Sequence, residues 1–464
     1  MRFGFQPCTA VCCTLVLAAC GGGGSNAPPA PPVAVAKSNV AQGQAPLTVN
    51  FDASASTDPQ GYALTYAWSF SDGGTAAGVT VAHTFQNHGT YSASVAVNDG
   101  HNTTTSSPLQ IAVTAGTITI DAPGAGTVAG QVPLPQGTFP YAINESGAIG
   151  GNFQDANNVL HGFFRAADGL MVVFDAPGAG TVAFQGTQGF AINSEGAIAG
   201  KMIDAGYVPH GMLRASDGKI TTFEVRGAGT GADQGSVATN IGPDGVIAGI
   251  YLDANDVVHS FLRAPDGAIT VIDIPEAGTG VLQGISVCGV DCLNPQGAVV
   301  GSFADANNVN HAFLRAPDGA LTTFDAPGAG TGAGQGTFAV GINLAGVIGG
   351  LYLDPNNVYH GFVRAPDGTM TVVDVPGAGT GPSRGTLPSS INSQGAITGN
   401  YLDTNNVNHG FLRDEYGTFT TFDDPAAGTV SGRGTTPASN NDYNAITGWY
   451  TDASGLYHGF LRTE

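Results

Sequence analysis

One histidine returns on a fixed beat through most of the chain. His161, His210, His259, His311, His360, His409 and His458 are separated by 49 residues at every step but one, where the gap is 52. A unit of this size holding several short apolar runs cannot bury a sheet face alone and must pack on its neighbours. Four short strands per unit of roughly fifty residues is the pattern of a propeller blade. The single longer step coincides with extra residues around Val287-Cys288-Gly289-Val290-Asp291-Cys292.

The unit around His360 shows the anatomy. Thr337–Asn343 reads as a strand, Asn343-Leu344-Ala345-Gly346 as a tight turn, and Val347–Asp354 as the return. Pro355-Asn356-Asn357 turns again into Tyr359–Arg364, Pro366-Asp367-Gly368 turns once more, and Thr369–Asp374 is the fourth strand. Pro376-Gly377-Ala378-Gly379-Thr380 then crosses to the next unit. One turn position holds Gly147, Gly196, Gly245, Gly297, Gly346 and Gly395, and the last unit has Asn444 there. Asn is the side chain that best tolerates positive φ, so the exception obeys the same constraint.

The ends of the repeat are offset by one strand. Thr117–Gly126 matches a fourth strand and crossover before the first full unit, and the last unit stops at Glu464 after its third strand. The early strand can complete the last blade and remove the open edge that an unclosed array would leave. The expected fold is all-β: an Ig-like β-sandwich followed by a seven-bladed β-propeller closed by an N-terminal strand. Composition agrees, with 71 Gly and 27 Pro in 464 residues, 42% hydrophobic and 11% charged. That is a turn-dense β chain, not a disordered one. A formal charge of −21 argues against nucleic acid as a partner.

Each repeated His lies six residues after an Asp: Asp155, Asp204, Asp253, Asp305, Asp354, Asp403 and Asp452. The hairpin that follows sets the end of strand four about opposite the His, giving Asp175, Glu224, Asp273, Asp325, Asp374 and Asp423, with Asp121 for the last blade. This set is expected on the face that carries the two–three loops and the crossovers. Such groupings suit metal ligation or acid–base work, but an enzyme needs one asymmetric site. Recurrence in every blade argues for a hydrogen-bonded staple, as in tryptophan–aspartate repeat propellers. The Asp155-Ala156-Asn157-Asn158 type of loop could hold structural Ca²⁺, yet it lacks the alternating carboxylates and closing Glu of a calcium loop, and Asn-rich turns explain it without an ion. The recurring Arg165, Arg214, Arg263, Arg315, Arg364, Arg413 and Arg462 are expected to pair with carboxylates or carbonyls between blades.

Residues 1–19 carry Arg2 and a short apolar stretch, and Leu17-Ala18-Ala19-Cys20 resembles the bacterial lipobox. The resemblance implies a lipoprotein signal peptide, lipidation of Cys20, export, and membrane attachment at an outer membrane or cell surface; an ordinary secretory leader is the alternative. Residues 20–31 read as a Gly/Pro-rich tether. With Cys8, Cys12 and Cys13 removed and Cys20 lipidated, Cys288 and Cys292 remain, and a local disulfide is expected in an oxidising compartment, with a dithiol metal site as the rival.

Residues 32–115 hold short strands with period-two alternation and Trp68 as a central plug. Phe51–Pro59, Tyr66–Gly73, His83-Thr84-Phe85 and Gly89-Thr90-Tyr91 resemble the polycystic-kidney-disease (PKD) domain, which implies an Ig-like spacer or adhesive module. Over residues 116–464 the recurring His-Gly-Phe-Leu-Arg, with His311-Ala312-Phe313 once, resembles the bacterial extracellular HAF repeat. That resemblance implies secretion and a repeat fold and brings no chemistry with it.

Nothing in the repeats matches a nucleophile elbow, a zinc-protease helix or a phosphate-binding loop. The expected role is recognition: the propeller binds a glycan or protein, and the PKD-like domain is its stalk. A polysaccharide lyase or glycoside-processing enzyme is the alternative, with Lys201, Glu224-Val225-Arg226, Cys288–Cys292 and the insertion at Val132-Pro133-Leu134-Pro135 as its irregular features. A passive envelope or adhesion scaffold is the third reading.

Overall fold

The structure is a computed structural model that describes residues 28–463 apart from 87–88, 115, 131–135 and 290. Cys20, the leader and the insertion at 132–135 lie outside the described residues. Among the described residues every regular element is a β-strand.

The N-terminal strands form two sheets. Lys37–Ser38, Leu47–Asp52 and Thr80–Phe85 make one, and the long Gly89–Asn98 strand is central to the other, paired with Thr65–Phe70. Alternate residues of Gly89–Asn98 are buried (Ala93, Val95, Val97), which is the period of two expressed as packing. Trp68 is 1% exposed, 5.4 Å from the Phe51 ring, and its indole N–H donates to the Gly78 carbonyl. The plug residue thus keeps its polar atom paired.

The repeats form a closed ring of seven four-stranded blades. In blade one the strands are Gly137–Ile143, Ile149–Gln154, Leu160–Arg165 and Met171–Phe174, each antiparallel to the next. Blade seven takes Gly434–Asn440, Ile446–Thr451 and Tyr457–Thr463 from the end of the chain and Gly116–Ile120 as its fourth strand. That closing strand runs antiparallel, from Gly116 opposite Thr463 to Ile120 opposite Gly459. Ile120 is 3% exposed, so the clasp contributes apolar burial as well as ladder bonds.

Two backbone positions explain why the unit repeats so strictly. The turn glycines have positive φ, for example Gly346 at 79°, and Asn444 takes their place at 57°. A second glycine opens each first strand. A Cβ on Gly186 would lie 2.0 Å from the Leu160 carbonyl oxygen of the preceding blade, and one on Gly137 would lie 2.0 Å from that of Tyr457. Only a residue without a side chain lets consecutive blades approach there, including across the closure. Between blades sit fully buried aromatic rings, among them Phe163, Phe261, Phe313, Phe362, Phe411 and Phe460. Each buried ring is worth about 1.5–3 kcal/mol.

The recurring arginines pack otherwise than expected. Arg263, Arg364 and Arg462 lie 4.8, 4.7 and 4.5 Å above Phe223, Phe324 and Phe422 at the end of the preceding blade's fourth strand. Arg165, Arg214, Arg263 and Arg413 also donate to the carbonyl of the very next residue. For Arg263, Arg364 and Arg462, and for Arg214 at 5.2 Å from Phe174, the inter-blade partner is an aromatic face, where a weakly hydrated planar guanidinium stacks without the desolvation of a buried carboxylate; before Arg165, Arg315 and Arg413 the equivalent residue is Ile120, Ile272 or Val373.

Candidate functional site

The repeated Asp of strand two is first of all a turn residue. Asp155 Oδ1 accepts the N–H groups of Asn157 and Val159, both at 2.8 Å, and Asp305, Asp354 and Asp403 accept the equivalent pairs. Such an Asx turn delivers the chain into strand three with the His at its start. Donation by Val309 and Asn307 holds the Asp305 carboxyl below the usual carboxylate range. The same donors outweigh partial desolvation at Asp354 and Asp403.

In six of the seven blades the His then lies against two carboxylates. His161 Nδ1 is 2.9 Å from Asp175 and its Nε2 is 3.8 Å from Asp155. His311 is 3.0 Å from Asp325 and 3.9 Å from Asp305; His360 is 2.9 Å from Asp374 and 3.9 Å from Asp354. His409 is 2.9 Å from Asp423 and 3.9 Å from Asp403, and His458 is 3.0 Å from Asp121 and 3.7 Å from Asp452. The last pair joins the closing strand to the final repeat. In five blades the His ring is tied to its strand-four carboxylate at 2.9–3.0 Å and is stacked on the ring of its cross-strand neighbour, such as Phe153 at 5.0 Å and Tyr352 at 4.9 Å.

Two blades depart from the set. In blade two Glu224 replaces Asp and bonds His210 Nδ1, while Asp204 lies 3.3 Å from Nε2. Burial alone would lower the pKa of His210, but the two carboxylates outweigh it and raise it. In blade three His259 keeps Asp253 at 3.7 Å and stacks on Tyr251 at 4.8 Å, and no bond joins it to Asp273 among the described residues. The outer carboxylates are about half exposed, 51% at Asp175 and 52% at Asp325. Among the described residues no group of three or more His, Cys, Asp or Glu is arranged to hold a metal ion. In blade four the set lines a crevice of about 310 Å³ with Glu276, Phe303 and Phe324.

The channel through the ring is different in kind. In blades one, two, three, five and six the first strand buries all but two positions, and those two, with one from strand two, line the channel: Phe139, Tyr141 and Asn152 in blade one. The equivalents in blade two are Gln188, Phe190 and Lys201, and in blade seven Thr436, Ala438 and Trp449. Trp449 lies 5.5 Å from Tyr141, Tyr141 5.4 Å from Phe190, and the Lys201 ammonium 6.0 Å from the Phe190 ring. Burial pushes the Tyr141 phenol up to about 12 and lowers Lys201. Beside Tyr141 and Trp449 opens a cavity of about 410 Å³, walled by Val340, Leu351 and Leu387 with Ser389, Asn400 and Thr436.

At the end of the channel near the one–two turns, a girdle of amides links the blades. Asn144 donates to the Asn193 carbonyl, Asn193 to Gly242, Asn240 to Gly289, Asn294 to Asn343, Asn343 to Ser393, Asn392 to Asn441, and Asn441 back to Asn144. Here the blade-four insertion carries Asp291 across the ring. Its carboxylate accepts from Ser390 Oγ at 2.6 Å and its carbonyl from Ile342 N–H at 2.8 Å. Burial pushes Asp291 up to about 6. Glu145, at the rim and still open to solvent, is pushed up to about 7 by partial desolvation, with Asp442 and Asp291 adding like charge.

The disulfide expected between Cys288 and Cys292 is not formed; the two stand as neighbouring thiols. Backbone pairing already closes this loop, because Cys288 N–H donates to the Val300 carbonyl and Val300 N–H to that of Cys292. Burial raises the Cys288 thiol well above its ordinary pKa, and the neighbouring Cys292 thiol adds to this.

Sequence reasoning set each His opposite a strand-four carboxylate, an arrangement seen in six blades and not in blade three, and it missed the channel. Lys201 and the insertion that carries Asp291 were visible as irregularities; Tyr141, Phe190 and Trp449 were not. The usable signal was variation between copies at alternate first-strand positions whose neighbours stay nearly constant.

Residues 26–113 match the PKD domain family. The N-terminal sheets are therefore PKD-like. Comparison with curated proteins gives no match. Among solved structures, the BP39L lectin of Burkholderia pseudomallei is similar at 7% identity and a TM-score of 0.44, over 69% of this chain and 96% of the lectin. A variant of AofleA from Arthrobotrys oligospora gives 12% and 0.37 over 67% and 89%. A variant of the Aleuria aurantia lectin, solved with alpha-methyl-L-fucoside, gives 11% and 0.31 over 70% and 94%.

Proposed function

We propose that this chain is an exported lipoprotein of the cell envelope, anchored through Cys20, with the PKD-like domain as spacer and a propeller of HAF-type repeats as a carbohydrate-recognition head. The observation that carries the reading is the blade-four crevice, in which Asp305, His311, Asp325 and Glu276 stand beside Phe303 and Phe324. Carboxylates and imidazole satisfy sugar hydroxyls as acceptors and donors, and aromatic rings meet apolar sugar faces. Similar His and carboxylate sets recur around the ring, so several weak contacts can act together on one polymer.

The test is a glycan array with the full-length protein in detergent, followed by calorimetry on the sugars retained. Binding without product release, weakened by Asp325→Ala and weakened further when Asp374→Ala is added, is the expected result. Product release abolished by a change in one blade would favour a glycoside-processing enzyme instead. For the anchor, labelled palmitate should enter the wild-type protein in its host and not the Cys20→Ser form.

A further inference from the structure

We propose that the central channel is a second, asymmetric binding site, and that it takes a uronic-acid stretch of an acidic polysaccharide, with rings along Trp449, Tyr141 and Phe190 and a carboxylate on Lys201. The class of ligand rests on the carbohydrate reading above; its charge and its place in the ring go beyond it.

The argument begins with the inward positions. Each blade offers three, and across all seven the only charged residue is Lys201; the others include Asn152, Ile250, Ser302, Leu351, Asn400 and Trp449 on strand two. A sevenfold structural staple would repeat, and this cation does not. Lys201 is half-buried, and no hydrogen bond or ion pair joins its ammonium to a protein group among the described residues. Asp233 acts on it only as a more distant charge. A cation drawn out of water without a partner is costly unless something supplies the opposite charge. Contact with Phe190 offsets part of that cost. A ligand carboxylate would offset more, since a charge-assisted hydrogen bond is stronger than a contact with a ring face.

The ring chemistry has its own support. The contacts from Trp449 through Tyr141 and Phe190 to Lys201 form one continuous arc over blades seven, one and two. At its Trp449 and Tyr141 end the arc borders the cavity with the Ser389 and Thr436 hydroxyls and the Asn400 amide set among aliphatic walls. An apolar wall with a few placed polar groups is how small-ligand sites are built. Asn152, 2% exposed at the inward position of blade one, leaves its Oδ1 unpaired, a second sign of an incomplete polar set on this side of the ring.

The experiment is calorimetry on the full-length protein with oligogalacturonate and its neutral counterpart, oligogalactose. Wild type should bind the acidic oligomer about tenfold more tightly, and Lys201→Met should erase that preference. Lys201→Arg should retain most of it, and Lys219→Met, a charge removed from an exposed turn, should leave it intact. Trp449→Ala should weaken both oligomers, with an unchanged melting temperature showing that the ring still closes. Equal affinity of wild type for the two oligomers, or a preference that survives Lys201→Met, overturns the inference. Retention of neutral glycans that depends on Asp325 and not on Lys201 overturns it while the carbohydrate reading stands. Failure of every sugar, acidic or neutral, to bind the folded protein overturns both.

Discussion

The crossover face and the channel of this propeller are made from the same seven copies, yet they are opposites. On the face, His161 with Asp175 and His409 with Asp423 have almost the same geometry, two ring steps and hundreds of residues of register apart. In the channel, the position held by Trp449 in blade seven is Lys201 in blade two and Leu351 in blade five. The face repeats because each blade must solve the same turn and the same strand pairing. The channel can vary because its side chains meet one another and the cavity rather than a neighbouring blade's turn or strand pairing. Where copies agree, the physics of the blade is on display; where they differ, a single ligand can be addressed.

The comparison can be broken first in the shared core. Phe313→Ala and Phe411→Ala should each cost about 4 kcal/mol by urea denaturation. Their costs should agree within about 1 kcal/mol if the blades are energetically equivalent, since both rings are fully buried. Unequal losses would mean that symmetry of form hides asymmetry of packing. Next is the clasp: Ile120→Ala should cost about 3 kcal/mol, because it opens a void in the strand that completes blade seven. A negligible change would show that the ring holds without its N-terminal strand.

The girdle comes third. Asn441→Ala removes the amide that donates to blade one and should cost about 2 kcal/mol, leaving the Asn144 carbonyl without that donor.

The channel's acid end gives a pH signature that the face lacks. A carboxyl whose folded pKa is raised binds its proton more tightly in the native state, so its contribution to stability is largest at low pH and is lost as pH rises from its unfolded value through the folded one. For Asp291, at about 6, that window is pH 4 to 6, and Asp291→Asn should flatten the pH dependence of the melting temperature there. Asp305, with its pKa lowered, has the opposite sign: its contribution is full above the unfolded value and is lost at more acid pH. The smallest effect belongs to the half-exposed pairs. His311→Ala should change stability by less than about 1 kcal/mol, since such pairs are screened by solvent, while its effect on glycan retention should be measurable.

What could be read early and what could not divides along the same line. The beat of His161 to His458, the turn glycines with Asn444 as their lawful exception, and the spare strand at Thr117 are local or periodic facts, and they determined a closed seven-bladed ring. The pairing of His161 with Asp175 followed too, because a short hairpin fixes which residues stand opposite. Arg214, Arg263, Arg364 and Arg462 were misjudged because charge alone does not say whether a carboxylate or an aromatic face will stand over each. Cys288 and Cys292 were misjudged because composition and compartment favour a disulfide, while the backbone bonds through Val300 already hold the loop. Tyr141, Phe190 and Trp449 stand in three different repeats, and nothing local joins them. Only closing the ring brings residue 141 beside residue 449, since the distance between them is set by the angle at which blades pack and not by any run of sequence.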